Sequence, residues 1–404
     1  MGKAVMYGAG NIGRGFIGML FARSGYEVTF IDVAEEVVNQ LNRDHSYPVR
    51  EISQEPPREF QVSGVSAVNG RDGNAVAEAI AGTDIMATAV GVNVLKRIAP
   101  NLAEGIRRRR VRDGADLNII ICENLMDANK VLEGYLKEQL KEEELGWFDE
   151  HVGLVEASIG RMVPVQTEEM KEGNPLRVCV EPYGYLPVDR AAFKGELPKI
   201  DHMVPFEPFD FYLKRKLYVH NMGHALCAYL GMYEGISFIW EAIDQPWIRT
   251  VVQNAMEESA LALSGKYGIA LKDILTHIQD LLYRFTNAAL KDTCERVGRD
   301  TGRKLAGTDR LIGAARLCVE QGVMPAYILA GTAGAVYAHL KESGLEQTEE
   351  NAKNALMEIS GLTGDDPLLI MLLAFYWKYR RGESVEAIAK EAGTCKGKSL
   401  KNIV

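Results

Sequence analysis

The feature that most constrains the fold of this chain is residues 3–20, an apolar strand that turns at a glycine-rich loop and continues as a helix. The loop residues, in order, are Gly8, Ala9, Gly10, Asn11, Ile12 and Gly13. The first glycine permits a tight turn, the second lets the backbone approach a phosphate, and the third lets the helix pack closely on the strand. A pyrophosphate binds at the N-terminus of such a helix. The segment therefore predicts a dinucleotide-binding fold.

The next apolar strand ends in Asp32, and Val33 follows it. A carboxylate at this place accepts hydrogen bonds from the adenosine ribose and repels the 2′-phosphate of NADP(H). With no arginine beside it, Asp32 favours NAD(H) as the cofactor. The alternative is that Asp32 only caps the following helix.

Strand and helix alternate through the first half of the chain, which predicts an α/β domain with a doubly wound, mostly parallel sheet. Short alternating runs over 45–69 predict a β-hairpin inserted into this pattern. Ligands bind beyond the carboxyl ends of the strands in such sheets. Besides the glycine loop and Asp32, the residues expected at these ends are Thr88, Val90, Gly91, Glu123 and Asn124.

Beyond the segment 205–209 the sequence predicts helices almost continuously. We therefore expect a Rossmann domain over 1–200 and a mainly helical substrate domain over 201–404. The tail, 393–404, is expected to be weakly ordered.

The composition limits the classes of function. The 404 residues are 47% hydrophobic and 25% charged, which is ordinary for a soluble globular protein, and the net charge of −9 argues against a nucleic-acid or membrane-surface role. The run Arg107–Arg110 is interpreted as a solvated helix end. Six dispersed cysteines without a CxxC pair predict reduced, buried thiols in a cytoplasmic protein and no structural zinc site. The first strand begins at the N-terminus, so no signal peptide is expected.

Residues 216–226 place polar groups in an otherwise apolar helix. At 100° per residue, Asn221 lies about 140° and His224 about 80° around the helix from Lys216, so all three share one side. An amine, an amide and an imidazole gathered there can deprotonate a secondary alcohol and stabilise an alkoxide without a metal. The alternative is a helix whose polar side only hydrogen-bonds to its neighbours, and spacing alone does not decide between the two.

Lys216, Asn221 and His224 match the Lys-x4-Asn-x2-His signature of the polyol-specific long-chain dehydrogenases, the mannitol dehydrogenase family. Within it the chain most resembles the branch that acts on hexitol phosphates. The supporting segments include GAGNIGRGFIG, HSYPV, NIIICEN, HVGLVEASIGRMVP, KLYVHNMGHALCAYLG and ALKDTCERVGRDTGRKL. The resemblance implies NAD-dependent, metal-independent interconversion of D-mannitol 1-phosphate and D-fructose 6-phosphate. It also implies a monomer or a weak homo-oligomer.

The resemblance further implies a role for each residue of the signature. Lys216 is expected to be the general base, Asn221 to polarise the reacting oxygen, and His224 to orient the substrate. A free lysine has a pKa near 10.4, so the role of Lys216 needs alkaline conditions or a depressed pKa.

One position departs from the family pattern, and another distinguishes two branches of the family. Gly160 occupies a place where the family commonly carries an aspartate. Glu156 occupies the place of a substrate-polarising asparagine in mannitol dehydrogenases, whereas the phosphate branch uses an acid there. Glu156 is therefore predicted to contact the substrate.

A substrate phosphate requires cations. The candidates form one basic segment, with Arg299 and Arg303 favoured first, and consist of Arg296, Arg299, Arg303, Lys304 and Arg310. A solvated charged loop is the alternative. Three other functions stay open: a dehydrogenase of an unphosphorylated hexitol or hexuronate, a dehydrogenase of another hexitol phosphate, and a catalytically silent regulator that binds NAD or a sugar phosphate.

Overall fold

The computed structural model describes residues 2–112, 114–125 and 127–397. Contacts divide the chain into two units, with the division between Asp210 and Phe211. The first unit is α/β and the second is almost entirely helical, which confirms the predicted fold class.

Eleven strands lie in the described part of the first unit. They are β1 (Gly2–Tyr7), β2 (Tyr26–Asp32), β3 (Ser46–Glu51), β4 (Arg58–Ser63), β5 (Val65–Asn69), β6 (Ile85–Thr88), β7 (Leu117–Ile121), β8 (Val152–Glu156), β9 (Val178–Val180), β10 (Leu186–Asp189) and β11 (Met203–Phe206). Six of them form a wholly parallel sheet in the order β5-β2-β1-β6-β7-β8, the arrangement of a dinucleotide-binding fold. The register pairs Asp32 with Asn69, Tyr7 with Thr88, and Ile121 with Glu156. The carboxyl ends of these strands therefore share one edge.

The main sheet is buried on both faces because its strands are runs of apolar residues. Ala4 and Met6 of β1 belong to one hydrophobic core, and the alternate residues Val5 and Tyr7 belong to the other. All five residues of β7 are buried. This pattern is typical of a parallel sheet covered by helices on both sides.

The helices of the first unit follow the predicted alternation. They are a π-helix (Gly13–Gly18), α1 (Met19–Arg23), α2 (Glu35–Asp44), α3 (Gly73–Ala81), α4 (Val92–Arg112), α5 (Ala128–Lys137), α6 (Glu142–His151), α7 (Glu168–Lys171) and a 3₁₀ turn (Arg190–Ala192). Helix α5 ends at Lys137, and a separate helix, α6, begins at Glu142.

The hairpin predicted over 45–69 is correct only in part. Strands β3 and β4 form the antiparallel hairpin, and β9 adds to it in parallel as the third strand of a small sheet. Residues Val65–Asn69 instead form β5, an edge strand of the main sheet beside β2. The alternating pattern predicts a strand but does not identify its neighbour.

The interpretation of Arg107–Arg110 as a solvated helix end is wrong for Arg109. Its side chain is buried, and its guanidinium donates to the carbonyl oxygens of Thr83, Ala115 and Asp116. An arginine has five N–H donors, so it can satisfy several strand-end carbonyls at once. Arg109 thus fastens the end of α4 to neighbouring loops.

The second unit is built from helices. They are α8 (Asp210–Arg215), a π-helix (Lys216–Asn221), α9 (Met222–Tyr233), α10 (Ile239–Asp244), α11 (Pro246–Tyr267), α12 (Leu271–Phe285), a 3₁₀ turn (Ala288–Leu290), α13 (Cys294–Gly298), α14 (Thr301–Leu305), α15 (Ile312–Glu320), α16 (Ala326–Glu342), α17 (Glu349–Ser360), α18 (Pro367–Arg380) and α19 (Val385–Cys395). Helices α9 and α16 are apolar almost all round and are buried within the bundle.

Three further expectations concern the whole chain. The six cysteines are all buried and unpaired, as predicted. The expected weak tail begins too early, because α19 continues to Cys395, and residues 398–404 lie outside the described part. In the described part of the chain, no helix combines the length and apolar character needed to span a bilayer.

Candidate functional site

The glycine loop after β1 has the geometry that its sequence predicts. Gly8 has a φ of +103°, and a Cβ at Gly13 would lie 1.9 Å from the carbonyl oxygen of Gly8, so both positions require glycine. A Cβ at Gly10 would meet no described atom within 4 Å. Packing therefore does not explain Gly10, whereas the close approach of a pyrophosphate does. The residues present fit a dinucleotide.

Asp32 holds the glycine loop from the neighbouring strand. One carboxylate oxygen accepts the N–H of Ala9 at 2.7 Å, and the other accepts the N–H of Ala34 at 2.9 Å. A carboxylate has about four acceptor positions, so capacity remains for ribose hydroxyls. The bond to Ala34 supports the turn into α2, but the bond to Ala9 has no part in capping that helix.

Arg14, which the glycine motif does not include, lies next to this loop. Its side chain is buried, and its Nε has no hydrogen-bond partner among the described residues. Burial lowers the pKa of Arg14, while Tyr47 and Asp32 act in the opposite direction. A buried guanidinium beside the glycine loop is suited to a phosphate. Its position in the sequence, directly after Gly13, was the available signal.

The structure gathers most of the other predicted cofactor residues. Glu123 accepts the N–H groups of Val90 and Gly91, both at 2.9 Å, and so joins the loops after β6 and β7. Thr88 is fully buried at the end of β6, and Asn124 is exposed. Both oxygens of Glu123 thus hold the backbone of the loop after β6.

Glu156 ends β8 and is only 8% exposed. Burial raises its pKa to about 7, although the N–H of Ala128, 3.0 Å away, acts in the opposite direction. At neutral pH this carboxyl group is therefore protonated part of the time. In that state it donates a hydrogen bond, as an asparagine amide does.

In the second unit, the signature helix contains a π-helical turn over Lys216–Asn221. The angle of 140° between Lys216 and Asn221 assumed α-helical geometry throughout and is wrong for this reason. A π turn pairs residues five apart, so it brings Asn221 closer to the line of Lys216 than an α-helix would. Lys216 and Asn221 are partly buried, and single π turns are frequent at functional sites.

His224 belongs to a series of linked side chains that the sequence did not predict. Its Nε2 lies 3.3 Å from Oδ2 of Asp292, and its ring stacks on Phe285 with centroids 5.0 Å apart. The Nε of Arg296 donates to Oδ1 of Asp292 at 2.7 Å. Burial alone would raise the pKa of Asp292, but the bonds from His224 and Arg296 outweigh it and hold the pKa below its ordinary value. Asp292 thus orients His224 through Nε2 and leaves Nδ1 on the opposite side of the ring.

A second buried group, His220, lies beside His224. His220 is 7% exposed, and burial, reinforced by the charge of Arg284, lowers its pKa well below its ordinary value. His220 is therefore neutral at physiological pH. Arg284 is itself buried at the end of α12, near Asp280. Its position on an amphipathic helix gave no signal of this burial.

The structure does not bring the predicted phosphate ligands together as one open cationic patch. Arg299 lies 3.6 Å from Glu295, Arg303 lies within 3.6 Å of Asp300 and Asp309, and Arg310 donates to Asp309 at 2.7 Å. Carboxylates that alternate with these arginines along the segment are the reason for this pairing.

Lys304 departs further from the predicted arrangement. It is only 5% exposed, and its ammonium donates to the carbonyl oxygens of Val297 and Arg299. Burial, with the charges of Arg310 and Arg303, lowers its pKa to about 8. Lys304 therefore holds the turn after α13 and faces backbone.

The loop at Gly160 is fastened without the family aspartate. A Cβ at Gly160 would lie 3.1 Å from the ring of Tyr183, so a larger side chain requires that ring to move. The adjacent Arg161 is buried and donates to the carbonyl oxygens of Tyr183 and Gly15. Arg161 thus connects this loop to the helix that follows the glycine loop.

The described residues contain no group of three or more His, Cys, Asp or Glu side chains arranged to hold a metal ion.

Comparison with known proteins identifies the family. Residues 2–202 match the mannitol dehydrogenase Rossmann domain, and residues 209–358 match the mannitol dehydrogenase C-terminal domain. The chain belongs to the mannitol dehydrogenase family. This confirms the family named from the Lys-x4-Asn-x2-His signature.

Two solved structures of this fold resemble the new family member. Mannitol 2-dehydrogenase of Pseudomonas fluorescens, in a ternary complex with NAD and D-mannitol, matches with a TM-score of 0.75 and 14% identity, over 97% of this chain and 94% of that one. A D-sorbitol dehydrogenase in substrate-free form matches with a TM-score of 0.80 and 15% identity, over 96% of this chain and 94% of that one. At these identities the likeness concerns the fold.

The role of Asp32 can be tested through cofactor affinity. Asp32→Ala removes the acceptor for the N–H of Ala9 and the acceptor expected for the ribose, so we expect NADH to bind roughly tenfold more weakly or worse, as measured by fluorescence titration. Glu35→Ala is the matched control, because Glu35 is exposed and pairs with Arg71. Unchanged NADH affinity in Asp32→Ala would contradict the assignment.

The pKa of Glu156 predicts a pH dependence of stability. The folded state keeps this proton up to about pH 7, whereas an ordinary glutamate loses it near 4.5. Between these values the folded state binds more protons, so the stability that Glu156 contributes is lost as the pH rises. In Glu156→Gln this loss disappears, and the drop in the free energy of unfolding from pH 5 to pH 8 becomes smaller by on the order of 3 kcal/mol, measured by urea denaturation.

Glu150→Gln is the matched control for this measurement, since the Glu150 side chain is 77% exposed. Its pH profile should follow that of the parent protein. If Glu156→Gln follows it equally well, Glu156 does not have the raised pKa.

Proposed function

We propose that this member of the mannitol dehydrogenase family is an NAD(H)-dependent enzyme that interconverts D-mannitol 1-phosphate and D-fructose 6-phosphate. The observation that carries the proposal is the pairing of His224 with Asp292, and of Asp292 with Arg296, beside the helix whose π turn bears Lys216 and Asn221. It joins a base, two polar groups and a cation in one unit of the protein. The resemblance to the hexitol-phosphate branch supports the phosphorylated substrate.

Each residue of the signature has a role in the proposed reaction. NAD(H) supplies the hydride acceptor or donor. During oxidation of the alcohol, Lys216 takes the hydroxyl proton as the hydride leaves the same carbon. Asn221 donates to the oxygen as the carbonyl forms. His224, oriented by Asp292, binds a neighbouring hydroxyl group of the substrate.

The first unit supplies the cofactor site and one further group. We assign the pyrophosphate to the glycine loop and Arg14, and the adenosine ribose to Asp32. The raised pKa of Glu156 supports a role as a hydrogen-bond donor to substrate oxygen, in place of the asparagine of mannitol dehydrogenases.

For the substrate phosphate we favour Arg296. Its guanidinium shares Asp292 with His224, and its side chain is 50% exposed, so N–H groups remain for a ligand. Arg299, Arg303 and Arg310 have carboxylate partners of their own, and Lys304 faces backbone carbonyls. Arg296 also has a carboxylate partner, so the reason to favour it over Arg299 and Arg303, the first candidates from the sequence, is that its partner Asp292 also holds His224.

The same pairing supports one rival. Because carboxylates compensate most cations of the segment 296–310, an enzyme acting on an unphosphorylated hexitol or hexuronate is the second candidate. A catalytically silent regulator gains no support from any observation on the site.

The base is tested with Lys216→Ala. We expect NADH affinity to be unchanged and turnover to fall at least about 100-fold, since general-base catalysis commonly contributes that much. Turnover is measured as NADH oxidation with fructose 6-phosphate. Lys272→Ala is the control, because Lys272 is exposed on α12. Near-normal turnover in Lys216→Ala would remove Lys216 from the mechanism.

Substrate choice is tested with mannitol and mannitol 1-phosphate on the parent protein and on arginine variants. We expect the parent to prefer the ester and Arg296→Ala to lose most of that preference through a higher KM. Arg299→Ala serves as the matched control. Turnover with free fructose but with no ketose phosphate would establish the rival function.

A further inference from the structure

Arg71 is distant from Asp32 in the sequence, but the main sheet places the two residues at neighbouring strand ends. Strand β5 pairs with β2 in parallel, and Asn69 lies opposite Asp32 in the register. The N–H of Gly70 donates to the carbonyl oxygen of Asp32 at 2.8 Å. Arg71 follows directly, so the fold supplies the arginine that the sequence does not place beside Asp32.

The backbone at Arg71 is held in place by the turn between β5 and α3. The N–H of Arg71 donates to Oδ1 of Asn69 at 3.0 Å, and the N–H of Asp72 donates to the carbonyl oxygen of Asn69 at 2.9 Å. Asp72 then caps α3 by accepting the N–H of Ala75 at 3.0 Å. Such a turn fixes the direction in which the side chain of Arg71 leaves the backbone.

The side chain of Arg71 reaches the loop that carries Asp32. One guanidinium nitrogen lies 3.2 Å from Oε1 of Glu35, the first residue of α2. The loop before Glu35 is tied to Asp32, whose Oδ1 accepts the N–H of Ala34. The side chain of Arg71 is 68% exposed, and an arginine has five N–H donors, so donors remain for a ligand.

Asp32 and Arg71 have opposite effects on a phosphate at the adenosine ribose. A 2′-phosphate distinguishes NADP(H) from NAD(H), and a carboxylate at the ribose repels it. A guanidinium binds phosphate oxygens through paired N–H groups. Arg14 is less suited to this phosphate, because it is buried beside the glycine loop, to which the pyrophosphate is assigned. Arg71 is therefore a cation placed for a 2′-phosphate.

We propose that Arg71 is a specificity-determining residue of the cofactor site, whose guanidinium binds the 2′-phosphate of NADP(H) against the repulsion of Asp32. The preference for NAD(H) then depends on the charge of Asp32, and removal of that charge allows NADP(H) to bind through Arg71. The inference rests on the ribose assignment made for the proposed function, and it does not depend on which substrate the enzyme converts.

Fluorescence titration with NADPH and with NADH tests the role of Arg71. In Asp32→Asn the amide oxygen can still accept the N–H of Ala9, but the negative charge is gone. We expect this variant to bind NADPH roughly tenfold more tightly than the parent protein does, because the repulsion is removed. Asp32→Asn combined with Arg71→Ala should lose that gain, since charge-assisted bonds to a phosphate commonly contribute about tenfold or more.

Arg43→Ala, made in the same Asp32→Asn protein, is the matched control. The side chain of Arg43 is 70% exposed, nearly as much as that of Arg71, and it pairs with Asp44 at the far end of α2. This control should keep the gain in NADPH affinity. Equal NADPH affinity with and without Arg71 would overturn the proposal and leave Arg71 as a partner of Glu35 only. An equal loss of NADH and NADPH affinity would overturn it as well, because NADH has no 2′-phosphate.

Arg71→Glu in the parent protein makes the test independent of the Asp32 variant. Because Arg71 is exposed, the exchange leaves the core intact, and NADPH affinity should fall at least about tenfold while NADH affinity stays unchanged. Unchanged NADPH affinity would contradict the proposal. Failure of the parent protein to convert fructose 6-phosphate would refute the proposed substrate without altering these cofactor affinities.

Discussion

The close approach of backbone to backbone in the glycine loop is the constraint on which the first unit depends. Gly13 lies so near the carbonyl of Gly8 that any side chain would collide with it. This contact places the π-helix Gly13–Gly18 directly on β1. The bond from Ala9 to Asp32 then links the loop to the next strand. Cofactor site and sheet packing are therefore the same set of contacts.

The second unit uses a different device. Its signature helix departs from α geometry where the candidate base begins, and the π turn realigns side chains five residues apart. Asp292 then holds His224 and Arg296 through separate oxygens. The bonds from His224 and Arg296 outweigh the effect of burial, so Asp292 remains charged and keeps the imidazole in one orientation.

Sequence reasoning succeeded where the signal is local. The strand–glycine–helix unit, the strand alternation and the apolar helices all follow from period and composition, and the parallel sheet follows from their order. It failed where a residue's partner lies far along the chain. Alternation predicts that β5 belongs to a hairpin, because it does not reveal that β2 is its neighbour. The arginine run predicts a solvated Arg109, because its carbonyl partners come from other loops and leave no local signal.

By itself, the sequence determined the dinucleotide fold, the helical second unit, the family and the polar set Lys216, Asn221 and His224. Glycine conformational limits and hydrophobic periodicity act within a few residues, so they can be read directly. Only the tertiary structure decided which partner each charged side chain has. In the folded protein, Lys304 donates to a backbone carbonyl, and the arginines of 299–310 pair with carboxylates. Arg296 and His224 share one partner, Asp292. Charge pairing depends on the distances between side chains, which folding alone sets.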